Sequence, residues 1–165
     1  MSKKMNGELK FQLEILKMLY GGELVETIIV RGTEKAVPGC GFSALMVGDG
    51  KIYRKFSRNM LIEPDLDNPY DIYQHHEDFV LGEGYVEAEK ADTLNVGTEK
   101  KKKICVRLKA KKDFVWVRDK YLEYFDENVR FFIRDEFSPI IVMSREVPNV
   151  EGMIFPFTAK RSITR

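Results

Sequence analysis

Both histidines of the chain sit in one run, His75-His76-Glu77-Asp78. Imidazole nitrogens beside carboxylates are a donor set that divalent metals use, so a metal site is the first chemistry to consider. The spacing does not support one. Neighbouring residues of an extended chain point to opposite sides, and no third ligand recurs at a regular interval. The run reads as a polar loop, and neither a metal nor a cofactor is expected. Cys40 and Cys105 are the only thiols, and nothing in the sequence places a histidine beside either as an activating base. The HExxH, GxSxG, P-loop and GxGxxG patterns are absent. Gly82-Glu83-Gly84 reads as a turn or bulge. No catalytic residue is expected, and the chain is read as a non-enzyme.

Charge offers more than nucleophiles do. Lys100-Lys101-Lys102-Lys103, with Lys109, Lys111 and Lys112, is the densest cationic region. It suits phosphate contact, and it equally suits a solvated loop. Across the whole chain 27 basic residues face 26 acidic ones, for a net +1. A polycation is excluded, so any nucleic-acid contact must come from a local patch. Two cysteines are too few for a disulfide framework and suit buried thiols in a reducing cytoplasm. No apolar run approaches the ~20 residues that span a bilayer, and the N-terminus has no signal-peptide core, so no membrane partner is expected.

The elements that would position these groups are mostly strands. Hydrophobic residues make up 44% of 165, enough for one packed domain, read as residues 1–159 with a basic tail at 160–165. In Glu8–Tyr20, Leu9, Phe11, Leu13 and Ile15 alternate at strand period, while Leu9, Leu13, Leu16 and Tyr20 recur at helical spacing. The segment is read as a strand start passing into a short helix that stops at Gly21-Gly22. Strands are expected at Leu24–Arg31, Phe42–Val47 and Lys51–Ser57, the last two joined by the turn Gly48-Asp49-Gly50. Residues 58–77 break the pattern and are read as an inserted loop. Phe79–Ala88 is expected as strand and Glu89–Lys103 as a polar loop. Strands follow at Ile104–Leu108 and Phe114–Val117, then a helix from Asp119 to about Glu127. Three more strands close the chain, Val129–Arg134, Pro139–Ser144 and Gly152–Phe157. Trp116 is read as core or interface, and Tyr121 and Phe125 as the sheet-facing side of the short helix.

The order and spacing of Val106–Phe157 resemble the second half of a domain of the DNA sliding clamps, the family of the bacterial β clamp and proliferating cell nuclear antigen. The matching pieces are Val106-Arg107-Leu108, Phe114-Val115-Trp116-Val117, Lys120-Tyr121-Leu122, Val129-Arg130-Phe131, Ser138-Pro139-Ile140-Ile141-Val142 and Met153-Ile154-Phe155-Pro156-Phe157. About a third of the chain is covered, and no single motif is diagnostic. The resemblance implies an α+β fold of antiparallel sheets with two short helices, like a single clamp domain. It implies a ring around double-stranded DNA, assembled from copies of this chain. Lys10, Lys17, Arg118 and Lys120 would be its helix-borne phosphate contacts. Phe155, Pro156 and Phe157 would line a pocket for a peptide of a DNA polymerase or other replication protein. On this reading the chain is a non-enzymatic processivity or tethering factor of phage, mobile-element or microbial origin. The alternative is a protein-interaction module, a regulator or inhibitor that does not encircle DNA. A metal-dependent enzyme built on His75, His76, Glu77 and Asp78 is a third reading.

Overall fold

The computed structural model describes residues 7–23, 25–37, 41–55, 76–125, 128–146 and 149–157, with the side chains of 76–78 left aside. The chain opens with α1 (Gly7–Tyr20), a helix throughout. The strand start expected at Leu9–Ile15 is not formed. Phe11 and Ile15, one turn apart, are buried, and Phe11 meets Tyr124 edge to face with centroids 5.4 Å apart. That tertiary contact rewards the helical period over the strand period of the same residues. The helix ends as the glycine pair predicts. Gly22 adopts φ 73, its N–H reaches Leu19 O, and Glu23 N–H reaches Met18 O. This is a Schellman cap, which glycine enters without the steric cost a Cβ would bring.

The strands are β1 (Glu26–Gly32), β2 (Phe42–Gly48), β3 (Ile52–Lys55), β4 (His76–Val80) and β5 (Val86–Asn95). They continue as β6 (Ile104–Lys109), β7 (Phe114–Arg118), β8 (Val129–Ile133), β9 (Ile140–Ser144) and β10 (Val150–Ile154). A second helix, α2 (Asp119–Leu122), stands between β7 and β8. It is shorter than the sequence suggests, passing into turns at Tyr124 and Phe125. All ten strands form one sheet in the order β4-β1-β2-β3-β10-β9-β8-β5-β6-β7. The fold is α+β.

The β2–β3 hairpin forms where Gly48-Asp49-Gly50 places it, with Asp49 Oδ1 accepting from the N–H groups of Lys51 and Ile52. Other expectations fail in whole or in part. The loop expected at Glu89–Lys103 is confined to Val96–Lys103: Glu89–Asn95 continues β5 and pairs with β6. Its residues are exposed on both faces, so no alternation of apolar and polar residues marks the strand. Phe79–Ala88 is not one strand but two, broken at Leu81–Tyr85. The sheet is also not wholly antiparallel, because β4 runs parallel to β1. The insertion read at 58–77 falls largely outside the described residues, as does the tail 160–165. His76 and Glu77, read as part of that insertion, open β4 instead. In the first half a helix and three strands follow one another without a leading strand among the described residues.

Strands β8, β9 and β10 are buried on both faces. Phe131, Ile133, Ile140, Val142 and Ile154 belong to one cluster, which also takes in Phe11, Ile15, Val106, Leu108, Val115 and Val117. Phe132, Ile141, Met143 and Met153 belong to another, with Ile28, Val30, Met46 and Tyr53. Each fully buried aliphatic side chain contributes about 1.5–3 kcal/mol, which makes this three-stranded wall the energetic centre of the sheet. Phe155 N–H still donates to Lys51 O beside β3, and Phe157 N–H then donates to Trp116 O at 2.6 Å. That bridge joins the far edge of β7 to the end of β10. Strands β10, β9, β8, β5, β6 and β7 thereby close into a ring around the first cluster.

Candidate nucleic-acid interface

The unevenness of charge is local and large. Residues 86–120, which form β5, β6, β7 and their turns, carry eleven Lys and Arg against six Asp and Glu. The whole chain carries a net +1, so the remainder is acidic on balance. The lobe's cations stand at both ends of β6. At one end the β5–β6 hairpin holds Lys100, Lys101, Lys102 and Lys103, all exposed. This turn is built rather than loose. Asn95 Oδ1 accepts from Gly97 N–H and Lys103 N–H, and Thr98 Oγ1 accepts from Lys101 N–H. At the other end exposed Lys109, Lys111 and Lys112 flank a turn closed by Ala110 N–H to Asp113 O at 2.9 Å.

Between these ends the two faces of β6 and β7 differ sharply. Val106, Leu108, Val115 and Val117 point into the ring and are buried. The other face pairs Arg107 with Trp116, Lys109 with Phe114 and Cys105 with Arg118. Phe114 is 50% exposed and meets Trp116 edge to face with centroids 6.5 Å apart. The Arg107 guanidinium lies 5.5 Å from the Phe114 ring centre, a cation–π contact. A bulge in β5 between Lys90 and Thr93 presents Asp92, whose carboxylate takes the Nη2 of Arg107. Arg107 Nε and Arg118 Nε are covered by neighbouring atoms yet have no acceptor.

The four phosphate contacts expected from sequence separate into two places. Arg118 ends β7, and its charge and that of Lys103 both bear on the Cys105 thiol. Lys120 is exposed on α2, with Nζ 5.2 Å from the Tyr121 ring centre. Both therefore belong to the basic lobe. Lys10 and Lys17 stand two turns apart on α1, beside Leu9, Leu13, Leu16 and Tyr20, on the side away from Phe11 and Ile15. Tyr20 is 87% exposed. That side of the helix is mixed, cationic and apolar together.

Phe155, Pro156 and Phe157 are each half-buried and follow the seam of the ring. Phe155 meets Tyr53 edge to face at 6.5 Å, and Phe157 pairs with Trp116. Trp116, read from sequence as core or interface, is half-buried on the outer face. Phe114 and Arg107 were not singled out by the sequence reading. The signal was present in two facing strands, Cys-Val-Arg-Leu-Lys and Phe-Val-Trp-Val-Arg, where every second residue is aliphatic and the others are cationic or aromatic. Burial pushes the Cys105 thiol up from its ordinary range, against the pull of Arg118 and Lys103. It stays protonated and is no nucleophile. Cys40 and His75 lie outside the described residues. His76, Glu77 and Asp78 pair along β1, and among the described residues no cluster of metal-binding side chains forms. Among the same residues no helix is long and apolar enough to cross a membrane. Comparison with protein families, with curated proteins and with solved structures gives no match to this chain.

Proposed function

We propose that the chain is a non-enzymatic, clamp-like tethering factor. It holds DNA by phosphate contacts that read no base, and it holds a protein of DNA metabolism at Phe155–Phe157. The observation that carries this reading is the segregation of cations onto residues 86–120 of a nearly neutral chain. Net charge is costly to concentrate on one lobe unless a polyanion meets it. The meeting of α1 with the residues after α2, through Phe11 and Tyr124, is also in keeping with a clamp domain. Encirclement by several copies would add topological retention to weak contacts.

Binding to labelled duplex across a salt series tests the first part. Affinity should fall steeply from about 50 to 200 mM salt, in proportion to the phosphates neutralised. The double variant Lys101→Glu/Lys103→Glu should lower it more than Lys10→Glu/Lys17→Glu does. Retention on closed circular DNA, lost when the circle is cut, tests encirclement. A second reading, protein binding without DNA, is favoured by the apolar stripe Leu9, Leu13, Leu16 and Tyr20 on α1. It takes over if no duplex is bound at low salt.

A further inference from the structure

We infer that the outer face of β6 and β7 is a stacking platform for single-stranded nucleic acid, built from Phe114, Trp116, Arg107 and Arg118. This rests on the nucleic-acid part of the proposed function and specifies the form of the ligand. An aromatic side chain left half in water on a strand costs hydration, and here Phe114 is one, 50% exposed and adjoining the half-buried Trp116 between two lysine-rich ends. Phosphates alone would need only the lysines. Rings add something that a paired duplex cannot use, because its bases already stack on each other. An unpaired base stacks on the exposed Phe114 ring beside Trp116, and the backbone runs towards Lys100–Lys103 at one end or Lys109–Lys112 at the other. The charge asymmetry of the lobe selects a polyanion over an apolar partner.

The chain has one tryptophan, so Trp116 reports on its own face. Full-length protein is titrated with a thymidine 20-mer, with a duplex of equal length and with polyglutamate, reading Trp116 emission and the anisotropy of a labelled strand. The expected result is quenching of Trp116 by the single strand and at least tenfold tighter binding of it than of duplex. Phe114→Ala, at an exposed position, should weaken the single strand about tenfold and leave duplex unchanged, with an unaltered melting temperature. Lys101→Glu/Lys103→Glu should weaken both and keep the preference. Equal binding of both forms with unquenched Trp116 overturns the platform and leaves the tether standing. Polyglutamate competing as well as the oligonucleotide also overturns it, in favour of an acidic protein partner. Absence of binding to any nucleic acid removes the platform and the tether together.

Discussion

Two of the arginine–phenylalanine contacts in this sheet have opposite outcomes. Arg54 on β3 lies 5.2 Å from the Phe125 ring centre, and Arg107 on β6 lies 5.5 Å from that of Phe114. Each is answered by a carboxylate near a β-bulge on a neighbouring strand, Glu151 for Arg54 and Asp92 for Arg107. There the likeness stops. Arg54 is 5% exposed, and its Nε donates to Tyr124 O at 2.8 Å. It ties the end of α2 to the sheet. Arg107 is half-exposed, its Phe is half in water, and its Nε has no acceptor. A buried arginine is tolerable only when its donors are satisfied. An arginine partly in water meets that demand more cheaply, because the exposed part of the Arg107 guanidinium stays solvated while its Nη2 is held by Asp92. Identical chemistry is thus structural in one strand pair and available in the other, and solvent decides which.

Arg54→Met should break the first pair most severely. It strands the buried Tyr124 carbonyl and leaves Glu151 without its cation, at a cost of about 3 kcal/mol. Urea unfolding should show a lower midpoint at unchanged slope. Gly152→Ala attacks the same pair from the other side, since a Cβ there would meet the Phe125 ring and Tyr53 O at under 3 Å. Overpacking of this kind costs about 1–3 kcal/mol, again read from the urea midpoint. Another arginine–aromatic pair, Arg134 over Tyr85 at 5.2 Å, sharpens the comparison through pH. Burial raises the Tyr85 hydroxyl to about 12, with Arg134 opposing. Its folded value lies above the unfolded one near 10, so its stabilisation is complete below pH ~10 and is lost as pH rises through about 12. Tyr85→Phe should flatten that alkaline loss. It should also cost about 1 kcal/mol at neutral pH, because the bond from Tyr85 Oη to Pro139 O disappears. Arg107→Gln should be nearly silent, under about 1 kcal/mol by the same urea assay. A large loss there would mean that Arg107 is structural after all.

What the sequence disclosed follows the same division. The Gly-Asp-Gly hairpin, the glycine stop after α1 and the doubly buried strands of the C-terminal half were legible, because turn chemistry and apolar runs are local signals. The Glu89–Asn95 part of β5 was hidden. Glu-Ala-Glu-Lys-Ala-Asp has no apolar face, and its strand conformation is imposed by pairing to β6 and β8. Helix α1 was half legible, since Leu9, Phe11, Leu13 and Ile15 satisfy two periods and only the contact with Tyr124 chooses between them. The parallel partner of β1 was not legible at all, because nothing local distinguishes a strand that will run parallel. At the candidate site, the lysine clusters stood out by density. Phe114 and Arg107 did not, because their significance lies in facing one another across a strand pair.

The position of β10 has a consequence for how the molecule comes into being. Residues 150–154 lie between β3 and β9, so the last described strand joins the first half of the sheet to the second. During synthesis β1, β2 and β3 precede it by about a hundred residues, and until it arrives both β3 and β9 keep one edge unpaired. Such edges invite pairing with other chains. Assembly from distant segments also places the protein among slow folders. The nascent chain is therefore most exposed to misassembly just before β10 is inserted, and a chain cut short of Val150 would leave two half-sheets with nothing between them.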